Sequence, residues 1–288
     1  MMGYFKTFFL MTSIICLFVF TGYSLGGETG LVIALILGIL SNIFAYWYSD
    51  KVILSMYKAK LVNQNDSPEL IKIVSELTTN AGMPVPAIYI IEEDSPNAFA
   101  TGRNPSNAAI AVTKGLIEKL TQNELKGVVA HELAHILNRD ILIATVSAVF
   151  AAAISSIASF ALIFGGRGVD RPLNPILVIL LAFVTPIAAT IIQMAISRSR
   201  EYEADRIGAI ITKDPASLAS ALKKIDDISR TKNFNTVQQH PETAQMMIIS
   251  PLIKRGFKEL FSTHPSTSER VIRLNEMANI SNTIGYTK

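Results

Sequence analysis

Four long apolar runs, residues 4–21, 31–48, 141–164 and 175–197, constrain this chain more than any other feature. A helix rises about 1.5 Å per residue, so about 20 mostly apolar residues cross the roughly 30 Å hydrocarbon core of a bilayer. The last three runs carry no Asp, Glu, Lys or Arg, and the first carries only Lys6 near its start. A composition of 50% hydrophobic and 17% charged residues, with mean hydropathy +0.36, fits a membrane class rather than a purely soluble one.

The first run opens near a lysine, as a secretory signal does. The residues around Gly22 lack a small-x-small cleavage pattern, however, and a second run follows after only GYSLGGETG. Residues 1–48 therefore read as a pair of uncleaved transmembrane helices, closed at the interface by Tyr46, Trp47 and Tyr48. Small residues are frequent in 141–164, as in buried core helices. Its length favours the membrane, so 141–197 reads as a transmembrane hairpin and the base as four helices. Lys51, Lys58, Lys60, Arg139, Arg198 and Arg200 flank the runs on one side, whereas GYSLGGETG has no basic residue. This bias predicts that the hydrophilic parts are cytoplasmic. The loop GGRGVDRPLN, with Arg167 and Arg171, runs against it.

The single cysteine, Cys16, lies in the first run, which excludes an internal disulfide and leaves no thiolate for a metal. A net charge of +3 is explained by positive residues on the cytoplasmic face, so the expected partners are the lipid bilayer and protein or peptide substrates, with no nucleic acid.

Two hydrophilic blocks remain, 49–140 and 198–288, each marginal as an independent core. They are expected to form the two halves of one domain, mainly α with a small β-sheet. In the first block, Ser67, Pro68 and Gly82 bound a helix whose apolar face is read as Ile71, Val74 and Leu77. AIYII and AAIAVT read as strands, with NAFATG as a third between turn signals. Thr121 and Glu124 form a capping-box pattern opening a helix through HELAH. In the second block, SRSREYEADRIGAIIT and DPASLASALKKIDDIS read as helices, TKNFNTVQQHPETAQMM as a loop, and the segment from about Ser266 as a last helix.

His131 and His135 stand four apart, so on a helix both imidazoles reach one ion from the same face, with Glu132 beside it. This H-E-x-x-H order is that of zinc proteases. A third protein ligand is required. The candidates are His240, His264 and the carboxylates. Glu201 is the best of these, because Asp205, four residues on, could accept from a ligating histidine. His135 precedes the third run and Glu201 follows the fourth, so two crossings return both segments to one side.

HELAH, SRSREYEADRIGA, NAFATGRNP and THPSTSERVIRL, in an order with a hydrophobic hairpin between the first two motifs, resemble the HtpX group of membrane zinc endopeptidases, relatives of the CAAX prenyl proteases. The resemblance implies a zincin-like (gluzincin) catalytic domain and one Zn2+ per chain, held by His131, His135 and Glu201, with Glu132 as general base. It implies an oxyanion role for His264 and supporting roles for Asp205 and Arg270. It also implies a bacterial or archaeal cell membrane, and a part in membrane protein quality control and stress response. NAFATG suits an edge strand that pairs with an extended substrate, with Asn97, Ala98 and Phe99 as contacts. A competing reading is a non-catalytic membrane protein in which zinc only clamps the two halves together. Prenyl-protein processing would need a CAAX-type substrate.

Overall fold

The computed structural model describes residues 2–63, 66–165, 198–231, 243, 246–248 and 265–285. The fourth apolar run, His240 and His264 lie outside the described residues. The order is α1 (Met2–Met56), β1 (Lys60–Leu61), α2 (Pro68–Ala81), β2 (Ala87–Ile91), β3 (Ala98–Asn104), β4 (Asn107–Thr113), α3 (Lys114–Lys119), α4 (Gln122–Leu137), α5 (Ile141–Gly165), α6 (Arg198–Thr212), α7 (Pro215–Thr231) and α8 (Thr267–Gly285). The fold is mostly helical with a small mixed sheet, as expected, although the sheet has four strands rather than three.

α1 is broken at Gly26 and Gly27, the latter at φ 59, which folds its two limbs into a hairpin. A Cβ on Gly22 would lie 2.4 Å from the Gly30 carbonyl oxygen, so only glycine permits this approach of the limbs. Asn42 Nδ2 ties them further, donating to the Met11 carbonyl at 2.9 Å. Phe5, Phe8, Phe9, Phe20, Ile36, Leu40 and Phe44 remain exposed on the hairpin surface. Among the described residues, Gly26–Met56 is long and apolar enough by itself to cross a membrane, Thr7–Tyr23 is apolar but shorter, and Gln122–Leu137 with Ile141–Ala153 passes only as a pair bent by 90°.

The helix does not end at Tyr48, where the apolar run ends. It continues to Met56. Asp50 and Lys51 break the run, but Ile53, Leu54 and Tyr57 carry an apolar face that packs with Phe99, Ala109 and Ala111 of the sheet. The apolar hairpin and the sheet thus share one rigid element.

The sheet order is β1-β2-β4-β3, with β2 parallel to β4 and β3 antiparallel to it. β3 is therefore an edge. α2 ends on Gly82, left-handed at φ 62, and buries Leu70, Ile73, Val74 and Leu77. Ile71, read as part of that face, is only partly buried. The i, i+3, i+4, i+7 spacing from Leu70 is the one that faces the core.

α4 begins with the expected capping box, in which the Thr121 side chain accepts from Glu124 N–H and the Glu124 side chain from Thr121 N–H. It is largely buried along its length, crossed by α6 and α7. Two glycines set these crossings. A Cβ on Gly127 would sit 2.9 Å from Leu218 Cα, and one on Gly208 would sit 3.0 Å from His131 N. α4 then turns through Asn138, Arg139 at φ 58, and Asp140 before α5 departs.

Candidate metal centre

His131 and His135 project from one face of α4, their Nε2 atoms 3.2 Å apart. α6 crosses at Gly208 and delivers Glu201, whose carboxylate oxygens lie 3.8 Å from His131 Nε2 and 3.6 Å from His135 Nε2. The three donor atoms fall within 4.8 Å of one another. A tetrahedral ion with ligands about 2.0–2.1 Å away separates neighbouring donors by roughly 3.3 Å, so these spacings fit one ion.

The far side of each ring strengthens the fit. His131 Nδ1 lies 2.9 Å from Asp205 Oδ1, and His135 Nδ1 lies 3.6 Å from Asp140 Oδ2. A carboxylate beside each Nδ1 is placed to hold a proton on that nitrogen, the arrangement in which the Nε2 atoms are the ones offered to an ion.

Asp205 is held by Arg270 through two bonds, Nε to Oδ2 at 2.8 Å and Nη2 to Oδ1 at 2.7 Å. Arg270 is fully enclosed, 2% exposed, and its Nη1 donates to the Ile248 carbonyl at 2.9 Å and lies 3.7 Å from Glu201. Burial works to raise the Asp205 carboxyl, but the Arg270 and His131 contacts outweigh it and hold Asp205 low. His131 is shifted down, chiefly by burial, so the ring is neutral. Burial also opposes a charge on His135, yet the Asp140, Glu201 and Glu132 carboxylates lift it to about 9. Glu132 is raised to about 7, first by burial and then by Glu201, against the pull of His135, the Ala100 N–H and Arg270.

Sequence reasoning singled out Asp205 but missed Asp140. Its signal was a carboxylate placed at the mouth of an apolar run, costly there unless paired. The partner is Arg200, 3.4 Å away on α6. Asp140 Oδ2 is buried and makes no hydrogen bond, His135 Nδ1 at 3.6 Å being an ion-pair neighbour.

Of the proposed substrate contacts, Asn97 and Phe99 point their main chain toward β4, and Phe99 is 1% exposed against Tyr57. Ala98 faces outward, but its N–H is taken by Asn97 Oδ1 and its carbonyl by Ile248 N–H. Ala100 is the residue whose outward N–H meets Glu132. Pro265 is buried and the Ser266 hydroxyl accepts from Glu269 N–H at the start of α8, the helix carrying Arg270.

A match to peptidase family M48 covers residues 64–278. The chain belongs to this peptidase family. It is 52% identical over 279 residues to a protein named Protease HtpX homolog from Polynucleobacter necessarius subsp. necessarius, covering 96% of this chain and 97% of that one. A protein of the same name from Methylibium petroleiphilum is 53% identical over 273 residues, 94% of this chain and 96% of that one. The crystal structure of S. mikatae Ste24p matches with a TM-score of 0.50 at 20% identity, covering 91% of this chain and 62% of that chain. This chain thus spans under two thirds of Ste24p and shares its fold.

Proposed function

We propose that this protein is an integral membrane zinc endopeptidase, with residues 49–140 and 198–288 forming one catalytic domain on the cytoplasmic face. Residues 1–48 and 141–197 would form a four-helix transmembrane base. The exposed apolar side chains of the α1 hairpin support the membrane placement. Its substrates would be membrane or misfolded proteins, in a quality-control role suggested by the resemblance to HtpX proteases. The domain would be zincin-like, of the gluzincin kind.

The observation that carries the reading is the convergence of His131, His135 and Glu201 beside a buried carboxyl, Glu132, that none of them requires. In this reading the three hold Zn2+, which when bound polarises the scissile carbonyl and acidifies a water. Glu132 takes the proton of the attacking water and returns it to the leaving amine. A carboxyl raised to about 7 is suited to both transfers near neutral pH. The Ala100 N–H aims one Glu132 oxygen. Asp205 and Asp140 keep the imidazoles turned toward the ion. Arg270 compensates the charge of Asp205 and Glu201 without reaching the substrate. His264 is assigned the oxyanion by its motif alone.

A structural clamp has no use for Glu132. Glu132→Gln is expected to retain one zinc per chain and to lose about 100- to 10,000-fold in cleavage of an unfolded protein. The wild-type activity should vanish with a chelator and return with added zinc. Undiminished proteolysis by this variant would falsify the base assignment.

A further inference from the structure

We propose that this protein cuts its substrates at a set depth, within about three to six residues of the bilayer surface, so that it selects juxtamembrane segments of other membrane proteins by position rather than by sequence. This rests on the membrane-tethered protease reading above.

Both elements that would grip and cut a peptide are joined to the apolar helices without a flexible link. α4, which carries the histidines and Glu132, passes into α5 through only Asn138, Arg139 and Asp140. The first turns of α5 are locked at once, with Leu142, Ile143 and Val146 packed on Leu10, Ile14 and Ala45 of the hairpin. α1 in turn runs unbroken from the hairpin into the domain and buries Ile53, Leu54 and Tyr57 beneath the sheet. A flexible tether of about 20 residues would let a domain wander by roughly 25 Å. Here the chain leaves no such freedom.

The edge strand β3 is bound to the same helices. The Thr101 hydroxyl bonds the Thr145 hydroxyl of α5 at 3.0 Å, and the Arg103 guanidinium lies 4.4 Å from the centroid of the Trp47 ring. Trp47 and Tyr48 are half-exposed, and Lys51 Nζ lies over the Tyr48 ring at 5.3 Å. Amphipathic aromatics beside cations mark the height of a bilayer interface. Ala100, which meets Glu132, is three positions from Arg103 along β3, a rise of about 10 Å. A substrate leaving the bilayer in extended form covers that height in about three residues.

The test co-reconstitutes the full-length protein in lipid vesicles with a single-span substrate whose cytoplasmic tail repeats one small polar unit, making every repeat chemically equal. Cut sites are read by mass spectrometry and compared with those in the same tail, free of its span, in solution. The expected result is at least tenfold more cuts in the first six residues beyond the span than in any later six, with even cutting of the free tail. Lengthening the tail should leave the cut position unmoved, and Trp47→Ala, on α1 and outside the gripping strand, should broaden it while free-tail cleavage is unchanged. Zinc-restored cleavage spread evenly along the anchored tail overturns the depth rule and leaves the protease reading intact. Absence of zinc-restored cleavage in both arms overturns the protease reading, and the depth rule with it.

Discussion

His131 and His135 are one turn apart on α4, yet their supports are built differently. Behind His131 stands a closed stack: Asp205 at 2.9 Å, gripped through two hydrogen bonds by an Arg270 that is itself buried. Behind His135 stands a looser one: buried Asp140 at 3.6 Å with one unbonded oxygen, and a half-buried Arg200 at 3.4 Å. The first stack ties α4 to α6 and α8. The second ties α4 to α6 at the point where the chain turns into α5. One histidine is thus anchored in the domain core and the other at the junction with the apolar helices. The same side chain is preorganised on one side and adjustable on the other.

The comparison breaks most sharply at Arg270. Arg270→Ala leaves the Asp205 carboxylate, which is 4% exposed, buried without the guanidinium that bonds both of its oxygens. Removing one partner of a buried pair costs about 3–5 kcal/mol. Thermal unfolding in detergent or vesicles should drop accordingly, and zinc content should fall with it. An Arg270→Ala protein with wild-type stability would show that the His131 stack is no tighter than its neighbour.

Next comes the crossing that brings Glu201 to both rings. Gly208→Ala places a methyl 3.0 Å from His131 N and 3.2 Å from His131 Cα, backbone atoms that cannot rotate away. α6 must shift, at about 1–3 kcal/mol for overpacking. Because Glu201 rides on α6 while the histidines ride on α4, zinc affinity should weaken more than stability does; elemental analysis after dialysis against graded chelator would compare the two. Asp140→Asn sharpens the contrast with a smaller change. Loss of a carboxylate behind a metal-binding histidine typically costs about 10- to 100-fold in affinity. The open geometry of Asp140 puts it at the lower end, about tenfold, with unfolding temperature nearly unchanged.

Legibility from sequence follows the same division. What depends on short spacing was readable: the i, i+4 pairs His131/His135 and Glu201/Asp205, the capping box at Thr121, and the bounds of α2. What depends on long-range pairing was not. Asp140 finds Arg200 across an intervening segment of the chain, and no local pattern announces that. The continuation of α1 past Tyr48 was hidden because Asp50 and Lys51 end the apolar run, although Ile53, Leu54 and Tyr57 keep a helical stripe. The outward register of β3, which turns the Ala100 N–H to Glu132, is decided by pairing with β4, and a shift of one residue would invert it.

The smallest expected effect lies at the far end of the helix that carries both histidines. Glu124 accepts from Thr121 N–H at 2.8 Å, the Ser220 hydroxyl at 2.6 Å and Lys224 Nζ at 2.8 Å, fastening the start of α4 to α7. Burial acts to raise its carboxyl, but Lys224, Ser220 and Thr121 together bring it from 4.5 to about 2. A carboxyl lowered on folding stabilises fully above its unfolded value and loses that contribution as pH falls toward its folded one. Glu124→Gln should therefore cost about 1 kcal/mol near pH 6, and the gap from wild type should close between pH 4.5 and about 2. Unfolding measured across that range would test it: a gap that persists at the acid end would mean that shape rather than charge secures the start of α4, and zinc content near pH 6 should be the same in both proteins, since the cap is remote from either histidine stack.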